Sequence, residues 1–386
     1  MEDQLTAYIN ATVYTPQGVL QEGRMIVNQA GAIVAVGDIE LALPDGVDIV
    51  DLTGCTVLPG FIDVHVHGGG GHQMMDGTYE GLDGMSRYHA AHGTTSFLAT
   101  TGTDAQDRLC RALANAAAGI NQGVSGAEVL GIHLEGPYID FKRSGAQKRD
   151  YIRLPQRDEL ALFLAAAEDH IKLVTLAPEV EGGMETVRWL IERGITVSIG
   201  HSNATYEEVC EAVALGARHT THHFNGMSPF HHREPGVAGA GLMLPQLTTE
   251  LIADGIHVHP AAAKFLFQTK GAANVCMITD AVRCAGMPDG IYGHVKVENG
   301  TVTLLDGSSL AGSTLTTIQA FRNMLEFTGL PPEAILPSLT EVPARQIGVS
   351  ERKGSIAPGK DADFLVTDAR WDIHSTFVKG KKVYGR

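Results

Sequence analysis

The chain has 386 residues and a hydrophobic fraction of 44%, enough to bury the core of one large domain and a smaller one. Its 44 acidic and 29 basic residues give a formal net charge of −15, which argues against nucleic acid and anionic membranes as partners. Residues 1–21 lack the basic flank and apolar block of a signal peptide, and no apolar run reaches membrane-spanning length, so we expect a cytoplasmic protein. The five cysteines are scattered without a Cys-x-x-Cys pair, which predicts free thiols.

Both ends of the chain show short alternating strands separated by turn residues. At the N-terminal end we expect strands over residues 7–14, 23–28, 33–37 and 47–51. At the C-terminal end the alternation returns after Gly354, around Phe364-Leu365-Val366 and Phe377-Val378. A few strands alone cannot bury enough surface, so we predict one small β-sandwich domain built from residues 1–55 and 354–386.

The middle of the chain, residues 56–353, alternates apolar strands with amphipathic helices. The predicted strands span residues 57–66, 94–100, 128–134, 172–177, 195–199, 219–222, 250–253 and 275–279. The predicted helices span residues 77–92, 104–122, 156–169, 184–193, 206–215, 260–270 and 315–327. This pattern predicts an α/β fold, a closed parallel (β/α)8 TIM barrel as the catalytic domain. We disfavour an open doubly wound sheet, because polar residues follow many strands here rather than one switch point.

Histidines and carboxylates follow the predicted barrel strands. The first strand ends in His65 and His67, whose i, i+2 spacing puts both imidazoles on one face. Later strands end in His133-Leu134-Glu135-Gly136-Pro137, Gly200-His201-Ser202, Thr221-His222-His223 and Thr279-Asp280-Ala281. Barrel strands present their C-terminal ends at one rim, so these side chains should converge there. Three protein ligands and a water are the usual layout of hydrolytic metal sites, so the sequence predicts a metal-dependent enzyme.

Glu135, His201 and His222 are the ligands that we expect for this metal, one carboxylate and two imidazoles. The alternative for Glu135 is a solvated loop acid. His133 lies two residues before Glu135 and is expected to orient the ligands rather than bind the ion. His223 faces away from His222 in an extended chain, so it is expected to pack in the interior.

Asp280 is the candidate catalytic residue. A carboxylate beside an activated water can take its proton and then return it to the leaving group, which is general base followed by general acid catalysis. The alternative is a cap for the segment that follows the last strand.

Several motifs of this chain occur together in a known family. They are Pro59-Gly60-Phe61-Ile62-Asp63-Val64-His65-Val66-His67-Gly68, His133-Leu134-Glu135-Gly136-Pro137, Gly200-His201-Ser202, Thr221-His222-His223-Phe224-Asn225-Gly226-Met227, Arg233-Glu234-Pro235-Gly236, Ala253-Asp254-Gly255-Ile256-His257 and Leu310-Ala311-Gly312-Ser313. In these motifs the chain resembles the N-acetylglucosamine-6-phosphate deacetylases, a family of the amidohydrolase superfamily. Many related amidohydrolases bridge two metals with a modified lysine, whereas here Glu135 stands near that point.

The resemblance implies a divalent metal cofactor and a small-molecule sugar phosphate as substrate. Zinc or iron is the expected metal, and cobalt or manganese also suits these ligands. Some members with a pair such as His65 and His67 hold two metals, so one or two ions per chain are implied. The resemblance also implies a homodimer.

A set of substrate-binding residues is implied as well. Arg233 would be the main phosphate partner, because its planar guanidinium suits a phosphate; the alternative is a surface ion pair with Glu234. Gln147 occupies a position where the family often has a histidine, and it keeps a donor without a charge. The full set is Ala146, Gln147, Asn225, Gly226, Arg233, Asp254, His257, Leu310, Ala311 and Gly312.

The implied reaction removes the N-acetyl group of N-acetylglucosamine 6-phosphate and gives acetate and glucosamine 6-phosphate. N-acetylgalactosamine 6-phosphate is an alternative substrate, because the two sugars differ at a single hydroxyl. Another amidohydrolase activity, on a cyclic amide or nucleobase, would instead want a bridging lysine. A barrel scaffold without catalysis is the non-enzymatic alternative, and the intact set of ligands together with Asp280 argues against it.

Overall fold

The computed structural model describes residues 4–386. Its strands are β1 Leu5–Thr15, β2 Gly18–Asn28, β3 Ile33–Gly37, β4 Asp48–Asp51, β5 Thr56–Pro59, β6 Phe61–Val66, β7 Gly68–Gly69, β8 His72–Gln73, β9 Thr94–Thr100, β10 Glu128–Glu135, β11 Ile171–Leu176, β12 Thr196–Ile199, β13 His219–Thr220, β14 Thr248–Ile252, β15 Val275–Ile278, β16 Gly290–Tyr292, β17 Val295–Glu298, β18 Thr301–Leu304, β19 Phe364–Thr367, β20 Ile373–Val378 and β21 Lys381–Gly385. Its α-helices are α1 Tyr79–Ala90, α2 Gln106–Gln122, α3 Arg157–Ala166, α4 Gly183–Ile191, α5 Tyr206–Ala214, α6 Gly236–Met243, α7 Pro260–Lys270, α8 Thr317–Thr328, α9 Pro332–Ile335 and α10 Glu341–Gln346.

The parallel barrel predicted from the sequence is confirmed. Its eight strands lie side by side in the order β6, β9, β10, β11, β12, β13, β14 and β15, and each pair along this path is parallel. The last strand returns to the first, because the main-chain N–H of Asp280 donates to the carbonyl of His65 over 2.9 Å. The strand ends that carry the predicted site therefore surround one axis.

One barrel helix was missed from the sequence. Helix α6 follows β13, and six of its eight residues are buried, among them Val237 and Ala240. Its sequence, Gly-Val-Ala-Gly-Ala-Gly-Leu-Met, is small and apolar on every face, so it lacks the periodic polar positions that reveal an amphipathic helix. A helix that is apolar all round is a buried one, which is what the structure shows here.

Strands from both chain ends form a separate sheet, as predicted. Its main path runs β21, β20, β19, β5, β1, β2 and β3, and β4 pairs with β1. The strand predicted over residues 57–66 is two strands, because β5 pairs with β1 and β19 in this sheet while β6 belongs to the barrel. The chain changes sheets at Gly60, where an added Cβ would lie 2.2 Å from Thr95 Oγ1. The division into residues 1–55 with 354–386 and residues 56–353 stays a prediction.

A buried ion cluster joins the terminal sheet to the barrel. The Lys353 side chain is 1% exposed and its ammonium contacts Glu128 at the start of β10, Asp361 and Asp363. The distance from Lys353 Nζ to Glu128 Oε2 is 2.5 Å and to Asp361 Oδ2 it is 3.1 Å. An ammonium this deeply buried needs its charged partners. The three carboxylates therefore fix Lys353 between the terminal sheet and the start of β10.

A three-stranded antiparallel sheet, β16 to β18, follows the last barrel strand and was not predicted. Ile291, His294 and Val295 of this small sheet stand beside the mouth of the barrel cavity. Within residues 4–386, no helix combines the length and the apolar character needed to cross a bilayer.

Candidate active site

Three of the predicted site residues have left-handed backbone conformations. His201 has φ 46°, His222 φ 27° and Asp280 φ 50°, a region that residues other than glycine rarely enter. Each lies two residues beyond the last residue of its barrel strand. Such conformations cost of the order of 1–3 kcal/mol each and occur where the surroundings hold a side chain in a required direction.

Glu135, the last residue of β10, lies at the centre of a cluster of imidazoles. Its Oε1 atom is 3.2 Å from His201 Nε2, 3.4 Å from His222 Nε2 and 3.4 Å from His65 Nε2. Its Oε2 atom is 3.4 Å from His67 Nε2. Glu135 is therefore shared by two groups of candidate ligands, one formed with His201 and His222 and the other with the two histidines of β6.

The hydrogen bonds of His201 and His222 prepare both rings to bind a cation. His201 Nδ1 lies 2.8 Å from the carbonyl of Arg143, and His222 Nδ1 lies 3.0 Å from the carbonyl of Asn225. A carbonyl only accepts, so each Nδ1 carries the proton and each Nε2 presents a lone pair. The two Nε2 atoms are 3.1 Å apart, and both face Glu135 Oε1. Three converging lone pairs repel one another unless a cation lies among them, so these residues fit a divalent metal ion.

His65 offers a second sign of a metal site. Its Nε2 atom is buried and has no hydrogen-bond partner within the part of the chain that the structure describes, although it points into the cluster. Its Nδ1 atom is 2.9 Å from Glu250 Oε2, and this carboxylate is fully buried. A histidine that donates one N–H to a carboxylate and keeps the other nitrogen free is the usual arrangement of a metal ligand. His65, His67 and Asp280 thus form a second group of candidate ligands.

The charges of the cluster support one another. Burial alone would raise the pKa of Glu135, but His65, His201 and His222 hold it well below its usual value, so the carboxylate stays ionised. Burial alone would lower the pKa of His67, but hydrogen bonds to Asp280 and Glu135 raise it to about 9. The cluster therefore needs positive charge at this place, which is supplied by a proton or by a metal ion.

A cavity of about 740 Å³ opens above the cluster. Its walls include Glu135, His67, His201, His222 and Asp280, so the candidate ligands face the open space. Eight of the ten predicted substrate-binding residues line it: Ala146, Gln147, Asn225, Gly226, His257, Leu310, Ala311 and Gly312. The volume is that of a small-molecule site.

Gln147 contacts Glu135 directly. Its Oε1 accepts from the main-chain N–H of Thr103 over 2.7 Å, so its amide group must be the donor at the other end. That amide donates to Glu135 Oε2 over 2.6 Å. Gln147 was predicted from the resemblance as a substrate contact, and the structure adds that it fixes the orientation of the shared carboxylate.

Comparisons with known proteins agree with this geometry. The model of the amidohydrolase family matches residues 56–383. The chain belongs to the amidohydrolase family. It is 40% identical over 374 residues to the N-acetylglucosamine-6-phosphate deacetylase of Bacillus subtilis (strain 168), a match that covers 95% of this chain and 94% of that protein. It is also 38% identical to the N-acetylgalactosamine-6-phosphate deacetylase of Escherichia coli O157:H7, over 90% of this chain and 93% of that one.

A solved structure gives the same assignment. The amidohydrolase fold of this chain matches that of a mutant N-acetyl-D-glucosamine-6-phosphate deacetylase from Mycobacterium smegmatis in complex with N-acetyl-D-glucosamine-6-phosphate. The TM-score is 0.92 at 33% identity, and the match covers 98% of this chain and 99% of that one. The family resemblance stated from the motifs is confirmed, and so is metal dependence as a property of the family.

Two predicted substrate residues of this amidohydrolase lie outside the cavity lining. Asp254 contacts its neighbour, because its Oδ2 is 2.6 Å from His257 Nδ1 and its Oδ1 accepts from the main-chain N–H of Ile256 and of His257. Arg233 is exposed, and its guanidinium lies 2.8 Å from His232 Nε2. The loop that carries Arg233 turns outward, so within one chain this guanidinium does not reach the cavity.

His133 and His223 are both fully buried beside the site. His133 was expected to orient the ligands rather than bind the ion, and its Nε2 lies 2.8 Å from Thr175 Oγ1. Its ring stands edge-on to that of His65, with centroids 4.6 Å apart, so it supports His65 by packing. His223 packs against Phe224, as expected for an interior residue.

Glu250 is the main site residue that the sequence analysis missed. It lies inside β14, where its carboxylate contacts His65, His219 and the main chain of His222. The signal was present in the sequence as an acidic residue at the start of the predicted barrel strand 250–253, directly before the apolar run Leu-Ile-Ala. A charged residue in a barrel strand is buried, and buried charges need partners.

Proposed function

We propose that this chain is a metal-dependent deacetylase that converts N-acetylglucosamine 6-phosphate and water to glucosamine 6-phosphate and acetate. The observation that carries the proposal is the convergence of Glu135, His201, His222 and Asp280 on the floor of one cavity of about 740 Å³. The family membership, and relatives with this activity that match nearly the whole chain, support the same substrate.

Glu135, His201 and His222 would hold the catalytic ion, and their three ligand atoms already face one another. A divalent ion supplies Lewis-acid activation of the amide carbonyl and of water. Zinc and iron are the proposed metals. Because Glu135 is shared with the group of His65, His67 and Asp280, a second ion in that group is part of the proposal.

Asp280 has the position and charge of the general base. Its Oδ1 lies 3.2 Å from His67 Nε2 and its side chain is 11% exposed, at the cavity floor. Asp280 takes the proton of the attacking water as the new carbon–oxygen bond forms. It then returns the proton to the nitrogen as the carbon–nitrogen bond breaks, so acetate and the amino sugar leave.

His257 and the loop of residues 310–312 would bind the sugar phosphate. Asp254 accepts a hydrogen bond from Nδ1 of His257, which leaves Nε2 of the ring for the ligand in the cavity. Asn225 and Gly226 line the same wall. A phosphorylated substrate fits a cytoplasmic enzyme, because a charged sugar phosphate does not cross a bilayer unaided.

The outward position of Arg233 supports a homodimer. Phe230 and Met243, 56% and 50% exposed, lie side by side over Gly239 on the same face as the Arg233 loop. Contiguous exposed apolar surface marks protein contacts when it is large enough, and these two side chains are a candidate part of such a surface. We propose that a second copy covers this face, and that Arg233 serves as a phosphate partner only in the dimer.

Acetate release from N-acetylglucosamine 6-phosphate tests the proposal, with elemental analysis of the purified protein and reloading with zinc, iron, cobalt or manganese. Unphosphorylated N-acetylglucosamine is the control for phosphate recognition. Absence of acetate release with every metal would refute the deacetylase assignment. The second candidate, N-acetylgalactosamine 6-phosphate, is favoured by the 38% identical relative with that activity, and the ratio of the two kcat/KM values decides between the sugars.

A further inference from the structure

The side chain of Glu250 is fully buried in the barrel and touches both groups of candidate ligands. Its relative exposure is 0%, as is that of His65 and of His219. Glu250 Oε2 lies 2.9 Å from His65 Nδ1, and the same oxygen accepts the main-chain N–H of His222 over 2.9 Å. One oxygen atom is thus bonded to a side chain of one ligand group and to the main chain of the other.

The second oxygen of Glu250 is occupied as well. Its Oε1 lies 3.1 Å from His219 Nε2, and His219 Nδ1 lies 3.3 Å from Gln346 Oε1. Gln346 is itself oriented, because its amide donates to Thr248 Oγ1 over 2.8 Å. The chain of bonds from Gln346 through His219 to Glu250 leaves the carboxylate no freedom to turn.

We propose that Glu250 is a positioning residue for the metal site, which holds the His65 ring so that Nε2 faces Glu135 and Asp280. Glu250 does not touch the substrate cavity, since its side chain lies below the ligands in the barrel interior. It accepts the Nδ1 proton of His65 and so leaves the lone pair on Nε2, the buried atom that lacks a hydrogen-bond partner among residues 4–386.

The bond to the main chain of His222 links the two ligand groups. His222 has φ 27°, and its N–H points to Glu250 Oε2. A residue held in this conformation persists only when its surroundings fix it, and a charge-assisted bond is the strong kind of fixation. Glu250 therefore sets the direction of the His65 ring and helps to set the backbone from which His222 projects.

Position and charge can be separated by two small substitutions. Glu250→Gln removes the charge but keeps the length and an oxygen for His65 and His222, while its amide can donate to His219 Nε2. Glu250→Asp keeps the charge but is one methylene shorter, so it cannot reach all three partners. A positioning role predicts that the glutamine variant binds metal better than the aspartate variant, and a purely electrostatic role predicts the opposite order.

The readout is the binding of Zn²⁺ to the full-length protein, which does not depend on deacetylation. Metal-free protein is titrated with Zn²⁺ against a chelating indicator, and the bound zinc per chain is counted by elemental analysis. Loss of an outer partner of a metal ligand typically weakens metal binding by about 10–100-fold. We expect this loss for the site that contains His65 in Glu250→Asp, and a change below about threefold in Glu250→Gln. Glu159→Gln, at an acid bonded to Arg153 and Tyr138 on the outside of the barrel, is the matched control and should bind zinc as the wild type does.

The double variant His65→Leu/Glu250→Asp shows whether Glu250 acts through His65. If it does, the double variant loses no more zinc affinity at the site that contains His65 than His65→Leu alone, because the interaction is already gone. Additive losses, an aspartate variant that binds zinc like the wild type, or a glutamine variant weaker than the aspartate variant would each overturn the proposal. It rests on the metal dependence of the proposed function, and a wild-type protein that binds no Zn²⁺ would overturn it too. A protein that binds zinc but releases no acetate would refute only the deacetylase assignment.

Discussion

Replacing Asp280 with asparagine tests the assignment of the general base. Burial alone would raise the pKa of Asp280, but His65 and His67 hold it below its usual value, so this group is a carboxylate able to accept a proton at neutral pH. Its Oδ1 lies 3.2 Å from His67 Nε2 and 3.6 Å from His65 Nε2, so the base stands beside the metal ligands. Asparagine has nearly the same size and keeps one oxygen for these neighbours, but it cannot accept a proton.

Proton transfer by a positioned side chain typically contributes about 10²–10⁴-fold to the rate, or about 3–5 kcal/mol of activation free energy. We therefore expect Asp280→Asn to lower kcat by at least about 10²-fold while the ion held by Glu135, His201 and His222 remains bound. Acetate release at saturating substrate measures kcat, and elemental analysis measures the metal. Asp372→Asn, at a partly exposed carboxylate that contacts Arg322 away from the cavity, is the control.

Two results would refute this reasoning. A variant that keeps the wild-type kcat would show that another group takes the proton. A variant that loses all of its metal would show that Asp280 is needed to hold the ion of the first group, and the fall in kcat would then say nothing about proton transfer. Thermal unfolding of the metal-free variant, compared with metal-free wild type, separates either result from a general loss of stability.

Three further predictions concern other parts of the molecule. Gln147→Leu removes the donor to Glu135 and should lower kcat/KM by about 10-fold, which corresponds to about 1.4 kcal/mol. Gln147→His should restore part of the lost kcat/KM. An equal kcat/KM in the wild type and the leucine variant would contradict the importance of this contact. Lys353→Met leaves buried carboxylates without their cation and should lower the free energy of unfolding by about 3–5 kcal/mol, as measured by urea titration. The control is Lys296→Met at an exposed ion pair, which should change the free energy of unfolding little. Burial alone would raise the pKa of Glu128, but Lys353 and other cations lower it from 4.5 to about 2. The ionised Glu128 therefore stabilises the folded state by about 3 kcal/mol above pH 4.5, and this contribution is lost as the pH falls toward 2. A free energy of unfolding that is independent of pH in this range would contradict the prediction.

The barrel could be predicted from the sequence because its helices and strands carry clear periodic patterns. The strand predicted over residues 94–100 and the helix predicted over residues 260–270 have the predicted bounds. Two of the features that escaped the patterns have clear physical reasons. Helix α6 is apolar on all sides, and the change of sheet at Gly60 depends on the close approach of Thr95, a tertiary contact that local periodicity does not contain.

The candidate site could be predicted in its residues but not in its contacts. Strand ends meet at the rim of any such barrel, so the positions of His201, His222 and Asp280 followed from the fold. The direction of a loop does not follow from the fold, and this is why Arg233 was expected at the phosphate but lies outside the cavity of its own chain. Glu250 was missed because its role depends on two partners from other strands, His65 and His219, which only the closed barrel brings to it.

The left-handed conformations of the site residues show how the barrel holds the cluster together. Each strained residue is fixed by a main-chain hydrogen bond to a neighbouring element: the carbonyl of His201 accepts from Asp140, the N–H of His222 donates to Glu250, and the N–H of Asp280 donates to His65. Each of these backbones costs of the order of 1–3 kcal/mol, and a bond between buried groups offsets a similar amount. The neighbouring strands β10 and β15 are buried except for Glu128 at the start of β10, so the surroundings hold these conformations in place. The stability of the barrel is thus what keeps three lone pairs pointed at one place, where a bound metal ion would remove their repulsion.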